Sequence, residues 1–246
     1  MSTLTLTDAK IWVNTYDLSG DMNAVALEEG VEARDATTFG AGTRTRKGGI
    51  RGVRLTAAGF FNAAGSGRSD DVLPTLVGNV PPNLNVVSIG PAGATEGNPA
   101  FILPASLLRY TFGDEVDAML PFSLEASAVR SQTANPTRPV LGRGTILLAS
   151  QKTTTGSGTA FNLGAVAAGQ KLYVAVHVLA QSGGTPTLRV QSDSANNFPS
   201  PADQVTLVGP SADFRAVAGP ITDPWWRADW TFTGTTFTAI VIAAIR

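Results

Sequence analysis

The chain has 246 residues, of which 43% are hydrophobic and 15% charged, and its net charge is −1. That is enough apolar material for one large or two ordinary domains, and far too balanced a charge for a protein that holds nucleic acid non-specifically. With no Cys and one His, His177, disulfides, thiolate metal sites and most His-based relays are excluded.

Residues 10–14 predict a short strand. Residues 23–31 alternate, with Val25, Leu27 and Val31 on one face and Ala24, Ala26, Glu28 and Glu32 on the other. Residues 50–58 alternate again, Val53, Leu55 and Ala57 opposing Arg54 and Thr56. The two runs read as a hairpin with a polar connection of roughly twenty residues, where a tight hairpin needs about two to five. That connection carries Phe39, Arg44, Arg46 and Lys47 among several glycines, and reads as a loop that reaches outside its own domain. Ser69, Asp70 and Asp71 predict the capped, acidic first turn of a short helix that stops at Gly78. Strands are expected over 84–89, 100–110, 117–130 and 143–149.

The second half reads as β throughout, with runs at 161–166, 172–180, 186–192, 204–208, 225–233 and 236–245 separated by turn-rich segments. Many short strands at this spacing predict a sandwich. Leu172, Val174, Val176 and Val178 share one face, with Leu188 and Val190 as their expected partners. The polar segment 151–159 reads as a linker. The expected fold class is therefore mainly β: a sandwich with one short helix over 1–150, a linker over 151–159 and a second all-β sandwich over 160–246.

No residue set predicts catalysis. Asp114, Glu115 and Asp117 read as a solvated acidic turn, without the spacing of a cation loop. His177 alternates with apolar neighbours in a strand and reads as structural or surface. Ser19 lacks the flanking glycines of a nucleophile elbow. The Gly-rich stretches at 40–42 and 65–67 lack the Lys-Ser or Lys-Thr ending of a phosphate loop. The basic run Arg44, Arg46, Lys47 and Arg51 suits either nucleic acid or acidic groups of another subunit. Trp226, Ala228, Trp230 and Phe232 share a strand face that reads as buried, which leaves Trp225 and Arg227 as candidate carbohydrate contacts on the other. No cofactor and no metal are expected. No run of about 18 apolar residues predicts a membrane helix, and the amino end lacks the basic and apolar regions of a secretory signal.

The order of short motifs resembles a known family. Asp17-Leu18-Ser19-Gly20, an acidic strand, Thr37-Thr38-Phe39-Gly40, Gly48-Gly49 before a hydrophobic returning strand, Phe60-Phe61 and then a short helix follow one another. Over roughly residues 1–148 the chain thereby resembles the major tail tube proteins of long-tailed bacteriophages. The resemblance implies a β-sandwich with a flanking helix, six copies in a ring whose inner sheets join into one barrel, and rings that stack through the long loop. It implies a structural virion protein of the tail, assembled in the host cytoplasm, and not an enzyme. Its implied partners are further copies of itself and other tail proteins (tape measure, terminator, distal tail), while DNA passes through the lumen without specific binding. On that reading Thr37, Thr38, Phe39, Arg44, Arg46 and Lys47 form the contact between rings or subunits. Glu28 and Glu32, with Arg54 beside them, face the lumen. The second half resembles, more loosely, sandwich domains that project outward from such tubes and would obstruct a contractile sheath, which favours a non-contractile tail. The alternative is a decoration or adhesin module that binds carbohydrate through Trp225 and Arg227.

Overall fold

A computed structural model describes residues 8–36, 43–44, 46–62, 67–79, 84–113, 120–129, 141–209 and 211–246, with the backbone alone at 32–34, 46, 47 and 49–51. In chain order these residues form β1 (Lys10–Val13), β2 (Tyr16–Asp17), β3 (Met22–Asp35), β4 (Arg46–Phe60), α1 (Ser69–Leu76), β5 (Asn85–Gly90), β6 (Pro99–Phe112), β7 (Pro121–Ala128), β8 (Gly142–Lys152), β9 (Gly156–Ser157), β10 (Phe161–Asn162), β11 (Lys171–Ser182), β12 (Thr187–Asp193), β13 (Ala202–Val208), β14 (Asp213–Ala218), β15 (Trp225–Thr231) and β16 (Thr236–Ile245). The fold is mainly β and its sheets are antiparallel, as the alternating, turn-punctuated sequence predicts. Among the described residues one sheet has 11 strands, with a path β14-β11-β16-β8-β6-β5-β1-β2 and a branch in which β6 pairs β7, β7 pairs β4 and β4 pairs β3. A second sheet of 5 strands runs β10-β15-β12-β13, with β9 also on β15.

Three hydrophobic clusters hold these strands together. In the first, Leu172, Val174, Val176 and Val178 of β11 meet Leu188 and Val190 of β12 and Trp226, Ala228 and Trp230 of β15. This is the sandwich predicted for the second half, with the expected face inward. In the second, Ile11, Val13, Val87 and Leu103 pack on Val53, Leu55 and Ala57 of β4, Phe122 and Leu124 of β7 and Leu73 of α1. The third joins the two halves: Trp12, Val86, Ala100 and Ile102 meet Ile146, Tyr173, Ala175, Ile240, Ile242 and Ala244. Strands β11 and β16 are thus buried on both faces, which is why they read as nearly continuous apolar runs.

The structure alters several expectations. The hairpin is longer and its loop shorter, because β3 continues to Asp35 and β4 starts at Arg46, with Asp35 opposite Arg46 and Arg34 opposite Lys47. Arg46 and Lys47 therefore belong to the returning strand rather than to the loop. Apolar alternation stops near residue 31, but a backbone ladder does not require it. The segment expected as a linker, 151–159, is built into the sheets. It includes the end of β8 and all of β9; Thr154 O accepts the Trp230 Nε1 hydrogen at 2.7 Å, and Thr155 Oγ1 accepts from the Phe232 amide at 3.0 Å. The run 161–166 is strand only at β10, since Gly164 turns the chain at φ 84° and the Asn162 carboxamide accepts its amide at 3.1 Å. Strand β14 has no counterpart in the sequence reading; it is a sheet edge with mixed exposure, and so shows no clean alternation.

Candidate assembly surface

Strands β3, β4, β7 and β6 form a four-stranded antiparallel sheet with one buried and one open face. Val53, Leu55, Ala57, Phe122, Leu124 and Ala126 point into the second core. One residue out of phase, Ala24, Ala26, Arg54, Thr56, Ala58, Ser123, Glu125, Arg109 and Thr111 line an open groove. Glu28, Gly30, Gly52, Leu108 and Ser127 continue that face. Small and hydroxylated side chains dominate it. Thr111 and Ser123 share a hydrogen bond of 2.6 Å, and Arg54 Nη2 lies 2.9 Å from Glu125 Oε2. Glu28 stands opposite Arg54, and Arg109 opposite Glu125. Among the described side chains, this face therefore carries two carboxylates and two guanidinium groups, a balanced set rather than an acidic one.

Among the described residues, both sides of this sheet end in unpaired backbone. Among the described residues β3 pairs only with β4. On β6, pairing with β5 ends at Ala105 and one bridge joins Leu107 to Val77, which among the described residues leaves 108–112 paired only to β7. A β-bulge between Leu107 and Arg109 pushes Leu108 out of the ladder, and its side chain is 53% exposed. Beyond the last described β7 pair the β3–β4 hairpin continues. Among the described residues the last β4–β7 pair is Arg54 with Ser127, and residues 46–53, about 25 Å at the usual rise of a strand, pair there only with β3. Gly30 and Gly52 are cross-strand partners there, and a Cβ on either would meet nothing within 4 Å.

Of the residues assigned to the lumen, Glu28 and Arg54 lie exposed on this open face. The backbone of Glu32 falls where the β3–β4 register shifts, between Val31 and Ala33. Thr37, Thr38 and Phe39 lie outside the described residues, as do Asp114, Glu115 and Asp117. Arg44 is exposed. In the second half, Trp226 and Trp230 are buried, and the Trp226 Nε1 hydrogen goes to Gly164 O at 2.9 Å. Trp225 is half-buried. Arg227 donates from Nε to Gln191 Oε1 at 2.9 Å and lies over the Phe198 ring at 4.2 Å. Arg189 and Asp229 pair beside it at 3.0 Å.

His177 is fully buried. Asn14 O lies 2.6 Å from Nδ1 and Ser88 Oγ 2.7 Å from Nε2. A carbonyl only accepts, so Nδ1 carries the proton and the Ser88 hydroxyl donates to Nε2. Burial pushes its pKa down to about 4 against the opposing pull of the Asn14 carbonyl and Asp17. It is a structural histidine that ties β11 to β5 and to the β1–β2 turn.

The Asp17-Leu18-Ser19-Gly20-Asp21 segment is a corner rather than a site of chemistry. Ser19 Oγ accepts the Ile11 amide at 2.9 Å and donates to Asp17 Oδ1, while Leu18 is buried. Asp21 was not singled out by the sequence. It is 7% exposed, accepts the Ser69 amide at 3.0 Å and the Asn62 carboxamide at 2.9 Å, and lies 3.6 Å from Arg68 Nη1. The residue preceding α1, Arg68, gives no side-chain cap, so a carboxylate 48 positions away replaces the Ser or Asp cap that the local sequence predicts. Arg109 and Glu125 were missed as well. The signal for Glu125 was the alternation of Ser123, Glu125 and Ser127, whereas the bulge beside Arg109 breaks any alternation there.

No protein-family model matches the chain, and no curated protein matches it. Among solved structures, a chain of the virion of a native gene transfer agent particle has 13% identity and a TM-score of 0.34 over 50% of this chain and 84% of that one. SPP1 Dit (gp 19.1), a hub adsorption protein of phages that infect Gram-positive hosts, has 12% identity and a TM-score of 0.39 over 97% and 99% of the two chains. A chain of the sheath–tube complex of PVC, an extracellular contractile injection system, has 10% identity and a TM-score of 0.39 over 52% and 88%.

Proposed function

We propose that the chain is a structural subunit of a phage tail tube, whose copies close edge to edge into rings that stack into a conduit for DNA. The observation that carries this reading is the four-stranded sheet with an unpaired edge on each side. Exposed edges invite strand pairing, and closure into a barrel removes them. Strand β3 and the free part of β6 run in opposite directions, because the sheet between them has an even number of antiparallel strands. A second copy placed beside the first therefore continues the alternation without a parallel junction, and a cycle of copies closes it. Six copies is the number implied by the family that residues 1–148 resemble. The open, charge-balanced face then lines the lumen, where neither sign of charge dominates and DNA phosphates find no basic surface to hold. The far end of the β3–β4 hairpin reaches toward the next ring, and no step of catalysis is required. The second-half sandwich lies outside the tube, which suits a non-contractile tail.

Light scattering over a concentration series, followed by electron microscopy of the purified chain, tests the reading. Rings or tubes are expected. A chain that stays monomeric up to millimolar concentration, with no rings on the grid, overturns it.

A further inference from the structure

The charges on the open face occupy two adjoining rows. Ala26, Thr56, Glu125 and Arg109 are successive cross-strand partners, and Glu28, Arg54 and Ser127 form the next row on the same face. Read across the sheet from β3 to β6, the ionisable groups run Glu28, Arg54, Glu125, Arg109, alternating in sign. The two inner members already pair, at 2.9 Å. The two outer members, Glu28 and Arg109, make no ion pair among the described residues. Each is exposed, each lies on a strand with a free edge among the described residues, and the two carry opposite charge at opposite edges of one sheet.

We infer that Glu28 of one copy pairs with Arg109 of the next, and that this pair sets the register in which neighbouring sheets join. The inference rests on the edge-to-edge reading above and names the contact that completes it. Arg109 is level with Ala26, one same-face step from Glu28. A stagger of two residues at each junction brings Arg109 opposite Glu28. Closing a sheet into a barrel demands such a stagger, and an even stagger keeps every polar side chain on the open face, whereas a slip of one residue reverses the strand. With the opposite stagger Arg109 faces Ala24, beyond the reach of Glu28; with no stagger it faces Ala26 and meets Glu28 only across a diagonal, as Arg54 meets Glu125, but an unstaggered sheet does not close into a barrel. Joined in the favoured register, the two rows become an unbroken ring of alternating charge. Pairing of opposite charges across a junction is worth roughly 0.2–1 kcal/mol and like charges cost a similar amount, a term repeated at every junction of the ring.

The chain has no Cys, so introduced thiols report the contact directly. Glu28→Cys and Arg109→Cys chains are purified separately, assembled alone and as an equimolar mixture, and treated with a short bifunctional thiol reagent. The mixture is expected to give a covalent dimer that neither variant gives alone, and the double variant a ladder of covalent multimers. Cross-linking of Glu28→Cys with itself would mean a two-fold β3–β3 junction and would overturn the inference. Rings that form in the mixture without any cross-link would overturn the Glu28–Arg109 register while leaving ring formation standing. Absence of assembly in the unsubstituted chain would overturn both. As an independent measure, Glu28→Arg or Arg109→Glu alone is expected to raise the concentration needed for assembly about tenfold, which is ~1.4 kcal/mol. The double charge reversal keeps the same unfavourable neighbours within each chain, yet should return that concentration to within about threefold of the original, or ~0.7 kcal/mol. A double variant as impaired as the single ones would place the effect within the chain, and the inference would fail.

Discussion

Two residues carry more of the fold than their surroundings in the sequence suggest. His177 is the only histidine, so its titration is separable from that of the carboxylates. In the unfolded chain it takes up a proton near pH 6.5, and in the folded chain only near 4. Above pH 6.5 both states hold it neutral and it adds no pH dependence. As pH falls from 6.5 toward 4 the unfolded state binds the proton first, so stability should fall, by up to about 3 kcal/mol, and level off below 4. Urea unfolding midpoints from pH 7.5 to 5, compared with those of His177→Gln, measure this; an unchanged slope in the variant would remove the histidine as its cause. Asp21 acts on a different element. Asp21→Ala leaves the buried Ser69 amide without a partner and should cost about 1–3 kcal/mol, with faster hydrogen exchange at the start of α1 and little change in the second-half sandwich. His177 was legible as structural because it sits in phase with apolar neighbours. Asp21 was not, because its partner lies on an element far along the chain, and no local spacing encodes that.

At the scale of elements, the alternating runs located most strands, while their ends were set by backbone pairing that polar side chains do not advertise. The hairpin shows both effects. Residues 23–31 and 50–58 were legible, but the ladder runs on to Asp35 and Arg46. Edge strands such as β14 and the free stretch of β6 lack clean periodicity, so the sheet that forms the candidate assembly surface became visible only through its register. Glycines in the hairpin differ in the space around them. A Cβ on Gly59 would lie 1.9 Å from Asp21 O, a backbone atom at the crowded start of the hairpin, so Gly59→Ala should destabilise the chain by about 3 kcal/mol. Gly30 and Gly52 have open space instead. Gly30→Ala should leave thermal stability unchanged or raise it by about 0.5 kcal/mol, since glycine within a strand is a poor choice entropically. If Gly30→Ala lowers the melting temperature as far as Gly59→Ala, the open face is more constrained within the single chain than its geometry implies.

For the molecule as a whole, the strand patterns of the two halves and the family resemblance of the first predicted two sandwiches, and two of the three cores fit that picture. The third was not legible, because its members are the second faces of strands already assigned to a core by their first. Val174 and Val176 face the second-half sandwich, while Tyr173, Ala175 and His177 on the same strand face the first half. A cut at residue 150 passes through this shared core. It removes β16, which pairs along β8, and all of the named partners of Trp12, Val86, Ala100 and Ile102 except Ile146. It also leaves the Asn14 carbonyl and the Ser88 hydroxyl without the imidazole that bridges them. Trp12 and Ile102 are both fully buried in the full chain, and exposing side chains of this size costs about 1.5–3 kcal/mol each, a large share of the roughly 5–15 kcal/mol that holds a typical domain together. The fragment 1–150 is therefore expected to unfold well below the full chain's melting temperature, to bind hydrophobic dyes and to form rings poorly even if the assembly surface itself is intact. Adding the fragment 151–246 in trans should recover part of the lost stability, since the shared core can re-form between the two pieces. Differential scanning calorimetry of the full chain, the fragment and the mixture decides the matter. A fragment 1–150 that melts cooperatively near the full chain's temperature and assembles alone would mean that the third core contributes little, and that the outer sandwich is an appendage to a self-sufficient ring subunit.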